Sequence, residues 1–131
     1  MATRGMIGVV VEKENNRIRA IYNHFDSYPE HLGKVLAEHY SDRDVCETLC
    51  TYHTRSISPD GVPEYEDGGD DPEYRDYGTF DLFIKDARDR WGVEYIYLLD
   101  KDGWQIHDVY ANRTYDLDDI LATYEDDALT T

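Results

Sequence analysis

Apolar and polar residues alternate from Thr3 to Glu12, with Ile7, Val9 and Val11 on one side and Met6 and Val10 on the other. Side chains that switch sides at every residue mark a strand. Lys13-Glu14-Asn15-Asn16 then supplies residues that tolerate a positive φ. From Arg17 to His24 the alternation resumes, with Ile18, Ala20 and Tyr22 against Arg17, Arg19 and Ile21. Two such runs across a short Asn-containing turn predict an N-terminal β-hairpin.

The period then becomes helical. Pro29 suits a first helical turn, where its missing N–H would be orphaned anyway, and Ser27 or Tyr28 falls near the cap. Leu32, Val35, Leu36 and His39 make one inward stripe. Gly33 within it costs about 1 kcal/mol relative to alanine, which implies close approach of another backbone. Asp42 or Asp44 is placed to cap a second helix carrying Val45, Cys46, Leu49, Cys50 and Tyr52. Thr79 caps a third, in which Phe80, Phe83, Ile84, Ala87 and Trp91 keep helical spacing and Gly92 gives the stop. Val93 to Asp100 and Trp104 to Tyr110 alternate around Lys101-Asp102-Gly103, the clearest hairpin signal in the chain. Asp116 opens a short helix with Leu117, Ile120, Leu121 and Tyr124. Glu125-Asp126-Asp127 at its negative end is unfavourable, which predicts a frayed tail at about 125–131.

Between the second and third helices the pattern lapses. Residues 60–76 hold eight acids, two prolines and three glycines, with Arg75 the only base. Such a run buries too little apolar area to offset its ordering entropy, so a long acidic loop at about 54–78 is expected, partly ordered by Tyr65, Tyr74 and Tyr77. The order ββαα–loop–αββα predicts one α+β domain over 1–131. Its sheet is expected to be antiparallel and four-stranded, built from the two hairpins, with the helices packed on one side.

Charge narrows the functional classes. Asp+Glu 29 against Lys+Arg 13 gives −16, a surface that repels nucleic acid and anionic membrane. Three origins compete: mimicry of the phosphate backbone, adaptation to high salt, and ordinary acidic solubility. No long apolar run follows the N-terminus, so neither a signal peptide nor a membrane helix is expected. Cys46 and Cys50 lie four apart on one helix face, where their side chains do not meet as a disulfide requires, and no second Cys pair completes a zinc set.

Candidate chemistry gathers at Ile21–Gly33. His24, Asp26, His31 and His39 look like metal ligands, but His31 and His39 sit about 80° apart around a helix, so no metal site and no cofactor are expected. Ser27 lies near His24 and Asp26, yet adjacency in sequence is not a triad, and no enzyme activity is predicted. Two binding readings stand. In the first, Glu64, Glu66, Asp67, Asp70, Asp71 and Glu73 engage bases meant for phosphates, with Tyr65 and Tyr74 as apolar anchors. In the second, Arg4, His24, Lys34 and Arg75 converge with Tyr22, Tyr28 and Tyr77, and with Asp26, around a nucleotide-like ligand.

Residues 3–40 carry a resemblance. Thr3-Arg4-Gly5-Met6-Ile7-Gly8, Tyr22-Asn23-His24-Phe25-Asp26-Ser27-Tyr28-Pro29 with Gly33, and Leu36-Ala37-Glu38-His39-Tyr40 resemble a group of small tailed-bacteriophage and prophage proteins of no settled activity. Arg75-Asp76-Tyr77-Gly78 is similar to an Arg-Asp-x-Gly element found in some of them. The resemblance implies a viral origin and a place in the host cytoplasm. The expectation is an accessory protein that inhibits a host component, a nucleic-acid-binding defence protein, through its acidic surface. The alternative is a sponge for a nucleotide-type defence signal.

Overall fold

The computed structural model describes residues 2–66 and 72–130, with side chains through residue 124. Its strands are β1 (Gly5–Val11), β2 (Arg17–Asn23), β3 (Thr54–Ile57), β4 (Pro63–Tyr65), β5 (Arg75–Tyr77), β6 (Tyr95–Asp100), β7 (Gly103–Asp108) and β8 (Arg113–Asp116). The helices are α1 (Lys34–His39), α2 (Arg43–Leu49), α3 (Phe80–Asp89) and α4 (Leu117–Thr130).

Both expected hairpins form. β1 pairs antiparallel with β2, Ile7 opposite Ile21, and Asn15 and Asn16 in their turn take φ of 59° and 61°. β6 pairs with β7 through Leu99 and Trp104. The four-stranded antiparallel sheet does not. One mixed sheet of eight strands runs β4-β3-β2-β1-β6-β7-β8, with β5 also on β2. The two hairpins meet through a parallel pairing of β1 with β6, Gly5 opposite Tyr95 and Val9 opposite Leu99. Parallel neighbours far apart in sequence leave no local turn signal, so hairpin patterns alone cannot reveal them.

The additional strands are short and polar. β3, β4 and β5 lie within the stretch the pattern assigns to a loop, and β8 reads Arg-Thr-Tyr-Asp with three exposed residues. Pairing within the sheet holds them, with Ile57 of β3 buried in the core and Tyr77 of β5 and Tyr115 of β8 packed against it.

The helices also flank both faces of the sheet, not one. Ile7, Val9, Val11, Ile21, Tyr97 and Leu99 pack with residues of α1, α2 and α4. Met6, Ile18, Ala20, Ile96 and Leu98 pack against Phe83 and Ala87 of α3. The apolar residues on both sides of β1 were the sequence sign of this double cover. Gly8 sets the approach of α3: a Cβ there would lie 2.6 Å from Cε2 of Phe83. Gly33 admits a side chain instead of the expected backbone, with Leu117 Cδ1 3.0 Å from its would-be Cβ.

The helix that Pro29 begins opens with a wide π turn, Pro29–Gly33, before α1. Asp42 caps α2 by accepting from the N–H groups of Asp44 and Val45, and Thr79 caps α3 by accepting from Leu82. Cys46 and Cys50 are buried free thiols, and burial pushes the Cys46 thiol up.

Candidate functional site

β2 is where the site is built, because its outer edge changes partner midway. Ile18 and Ala20 pair with β5, while Asn23 pairs with Thr54 of β3. Between them the Tyr22 N–H is left over, and it donates to Nδ1 of His53 at 3.0 Å. An imidazole thus stands in for a missing strand. His53 and Thr51 also anchor the acidic segment: Glu66 N–H donates to the His53 carbonyl and Glu73 N–H to that of Thr51, both at 2.9 Å.

Below this joint lies a polar core. Asn23, Ser27 and Thr54 are fully buried. Asn23 Nδ2 donates to Phe25 O (2.9 Å) and Ser27 Oγ (2.8 Å), and its Oδ1 accepts from Thr54 Oγ1 (2.6 Å). Tyr97 Oη donates to the Ser27 carbonyl at 2.6 Å. Ser27 is thereby committed to the fold, with its hydroxyl donating to Asn23 O at 3.2 Å and no histidine bonded to it.

Above the joint, on the α3 side, rings form a ladder. Phe25 meets His24 edge-on at 4.5 Å, and His24 lies 5.8 Å from Tyr22, whose hydroxyl is 2.8 Å from His24 Nδ1. Tyr22 stacks on Trp91 at 5.5 Å, His53 flanks Trp91 at 5.3 Å, and the Arg75 guanidinium lies 5.5 Å from the indole centroid. Burial raises the Tyr22 phenol, Arg4 beside it pulls the other way, and Glu66 and Glu94 add to the rise. The Trp91 indole N–H is buried near the Tyr77 hydroxyl and has no hydrogen bond of ordinary geometry among the described residues.

Of the ligand residues expected from sequence, Tyr22 and Arg75 flank Trp91, and Arg4 and His24 join them through Tyr22. The others are elsewhere. Asp26 is an exposed turn residue at φ 57°. Tyr28 sits by His31, ring centroids 6.1 Å apart. Lys34 lines a separate groove between α1 and α4 with Glu30, Glu38 and Tyr124. Trp91 and His53 were missed. Trp91 read as core at the end of a helical stripe, and His53 has no periodicity to mark it.

The acidic set fares differently. Glu64 and Glu66 are exposed, whereas Glu73 is half-buried, its Oε1 without a partner among the described residues. Tyr65 packs edge-on to Tyr52 at 5.8 Å, and Tyr74 lies 4.2 Å beneath the Arg19 guanidinium. Both tyrosines are engaged within the fold. Asp67, Asp70 and Asp71 lie outside the described residues.

The joint makes a pH prediction. His53 must be neutral to accept from Tyr22, and its folded pKa is lowered, first by burial and then by Arg75, against an opposing pull from Glu73 and Glu66. The unfolded chain therefore takes up a proton first as pH falls below about 6.5. The stability contributed by neutral His53 is complete above that pH and is lost as pH drops from there through the lower folded value. His107, also lowered chiefly by burial, adds a decline of the same sign. Melting temperature measured from pH 8 to pH 5 should fall below about 6.5, and His53→Gln should flatten the slope. An identical slope in both proteins would remove His53 from the account.

Among the described residues no cluster of His, Cys, Asp or Glu can hold a metal ion, and no helix is long and apolar enough to cross a membrane. No family model, no curated protein and no solved structure matches this chain.

Proposed function

We propose that the chain is a binding protein that captures an anionic, ring-bearing ligand of nucleotide type at the Trp91 ladder, and so acts as a sponge for a nucleotide signal of host defence. The observation that carries this reading is the unbroken run of rings from Phe25 through His24 and Tyr22 to Trp91, closed by Arg75. Aromatic faces accept a base or a nucleoside ring with little regard to its edge pattern, at about 1–3 kcal/mol for each stacked base. A guanidinium lying on an indole keeps its N–H fork available for a phosphate. The defence role is what the resemblance of residues 3–40 to phage accessory proteins adds to this reading.

Thermal shift against a panel of cyclic and ADP-ribose-type nucleotides tests it. Ligand at a hundredfold excess over Kd should add about 2.7 kcal/mol of stability, a rise of several degrees. Trp91→Ala, and the exposed Arg75→Ala, should abolish the shift. No shift with any nucleotide would sink the reading.

A second reading keeps the acidic surface as the binding face, directed at a basic, nucleic-acid-binding host protein. What favours it is the sorting of charge by layer. α3 carries three acids and two bases, with Arg90 just beyond its end, whereas α4, on the opposite face, carries Asp118 and Asp119 and no base through residue 124. Neutralising Glu64, Glu66, Asp67, Asp70, Asp71 and Glu73 to Gln or Asn should leave capture of a basic partner intact if α4 is the contact. It should abolish capture if the 60–76 segment is.

A further inference from the structure

Between β5 and the outer face of α3 runs an open groove of about 640 Å³ that breaks the charge rule of this chain. Four bases, Arg17, Arg75, Lys85 and Arg90, line it against three acids, Asp76, Asp86 and Asp89. Two of the acids are ion-paired and the third is hydrogen-bonded to a neutral hydroxyl. Asp76 accepts from Arg17 Nε at 2.9 and 3.0 Å, Asp86 accepts the Tyr77 hydroxyl proton, and Asp89 accepts from Arg88 Nε at 2.8 Å. Arg75, Lys85 and Arg90 make no ion pair among the described residues. With Arg17 paired to Asp76 and Arg88 to Asp89, the groove keeps Arg75, Lys85 and Arg90 against Asp86, a net positive charge carried on exposed side chains, one of which, Arg75, also closes the ring ladder.

We propose that this groove is the phosphate-binding part of the site and that its ligand carries at least two phosphate charges, as a diphosphate or dinucleotide does. The inference rests on the ladder reading and names the ligand class for it. The step from one charge to two follows from magnitude. A single exposed ion pair is worth at most about 1 kcal/mol, and the field of a −16 protein works against any anion that approaches. A monoanion held by one of these side chains gains too little. A ligand that bridges Arg75 to Lys85 or Arg90 engages several cations for one loss of translational freedom, and the two guanidinium forks suit phosphate oxygens in paired hydrogen bonds. Leu82, 55% exposed in the groove wall, gives such a ligand an apolar surface to lie against.

The test uses the full chain with inorganic pyrophosphate, inorganic orthophosphate and adenosine as separate probes, by calorimetry at low and at physiological salt. Pyrophosphate should bind measurably more tightly than orthophosphate and weaken as salt rises. The double variant Lys85→Ala/Arg90→Ala should lose at least tenfold in pyrophosphate affinity. Lys101→Ala/Arg113→Ala, which removes the same charge outside the groove, should lose far less. Equal losses in the two doubles, or orthophosphate binding as tightly as pyrophosphate, would overturn the groove assignment. Adenosine binding without any gain from phosphate-bearing probes would overturn it too, while leaving the ladder reading standing. Failure of every probe, adenosine included, would end both.

Discussion

Asn23→Ala should lower the melting temperature by roughly 10–20 °C, the largest loss expected from any single polar substitution in this chain. The side chain is fully buried and holds three partners: the Phe25 carbonyl, the Ser27 hydroxyl and the Thr54 hydroxyl. Each partner left unsatisfied away from water costs roughly 1–3 kcal/mol. Rotation of the two hydroxyls recovers part of that, which leaves a total of about 3–5 kcal/mol. Ser27→Ala, which removes one member and spares the joint between β2 and β3, should cost only about 1–2 kcal/mol. Asn23→Asp keeps the shape but loses both donors and buries a charge, so at neutral pH it should be at least as damaging as alanine. Chemical denaturation of the four proteins at one pH decides the matter. Wild-type stability in Asn23→Ala would show that the network is ornamental.

The second large effect is expected at the opposite face. Phe83 is fully buried, stacks on Tyr77 at 5.1 Å and fills the space that Gly8 leaves open. Phe83→Ala should cost about 3–5 kcal/mol, the usual range for emptying an aromatic core position. Gly8→Ala drives a methyl to 2.6 Å from the same ring, an overpacking worth about 1–3 kcal/mol. The two sites face each other, so they should not add. In a double-mutant cycle, Gly8→Ala combined with Phe83→Leu should cost less than the sum of the single changes, with a coupling of about 0.5–3 kcal/mol. Strict additivity would mean that α3 does not register against β1 through this contact. Because α3 supplies Lys85 and leads directly into Trp91, Phe83→Ala should weaken ligand binding as well as the fold.

The pattern of apolar positions carried the two hairpins, the caps at Asp42 and Thr79, and the burial of Phe83, Ala87 and Leu36. It did not carry the sheet, for two physical reasons. Pairing between β1 and β6 is fixed by tertiary packing of residues about ninety positions apart, and nothing local to either strand announces its neighbour. β3, β4, β5 and β8 are three or four residues long and mostly polar, too short for alternation to show around single apolar residues such as Ile57.

The site divides in the same way. Tyr22 and His24 were legible as unusual chemistry at an element junction. Asp26 and Tyr28, beside them in sequence, turned out to serve the turn and the start of the helix. Trp91 and His53 come from other segments and needed the fold to bring them in.

The parallel contact of Gly5–Val9 with Tyr95–Leu99 also sets a timetable for synthesis. While the chain is being made, β1 emerges first and its inner edge has no partner until residue 99 has left the ribosome. At about 5–20 residues per second that is several seconds of exposure for Met6, Ile7, Val9 and Val10. A nascent chain stalled before residue 95 should therefore be the species that binds chaperones and aggregates, and one stalled beyond the ribosome-shielded end of β6 should not.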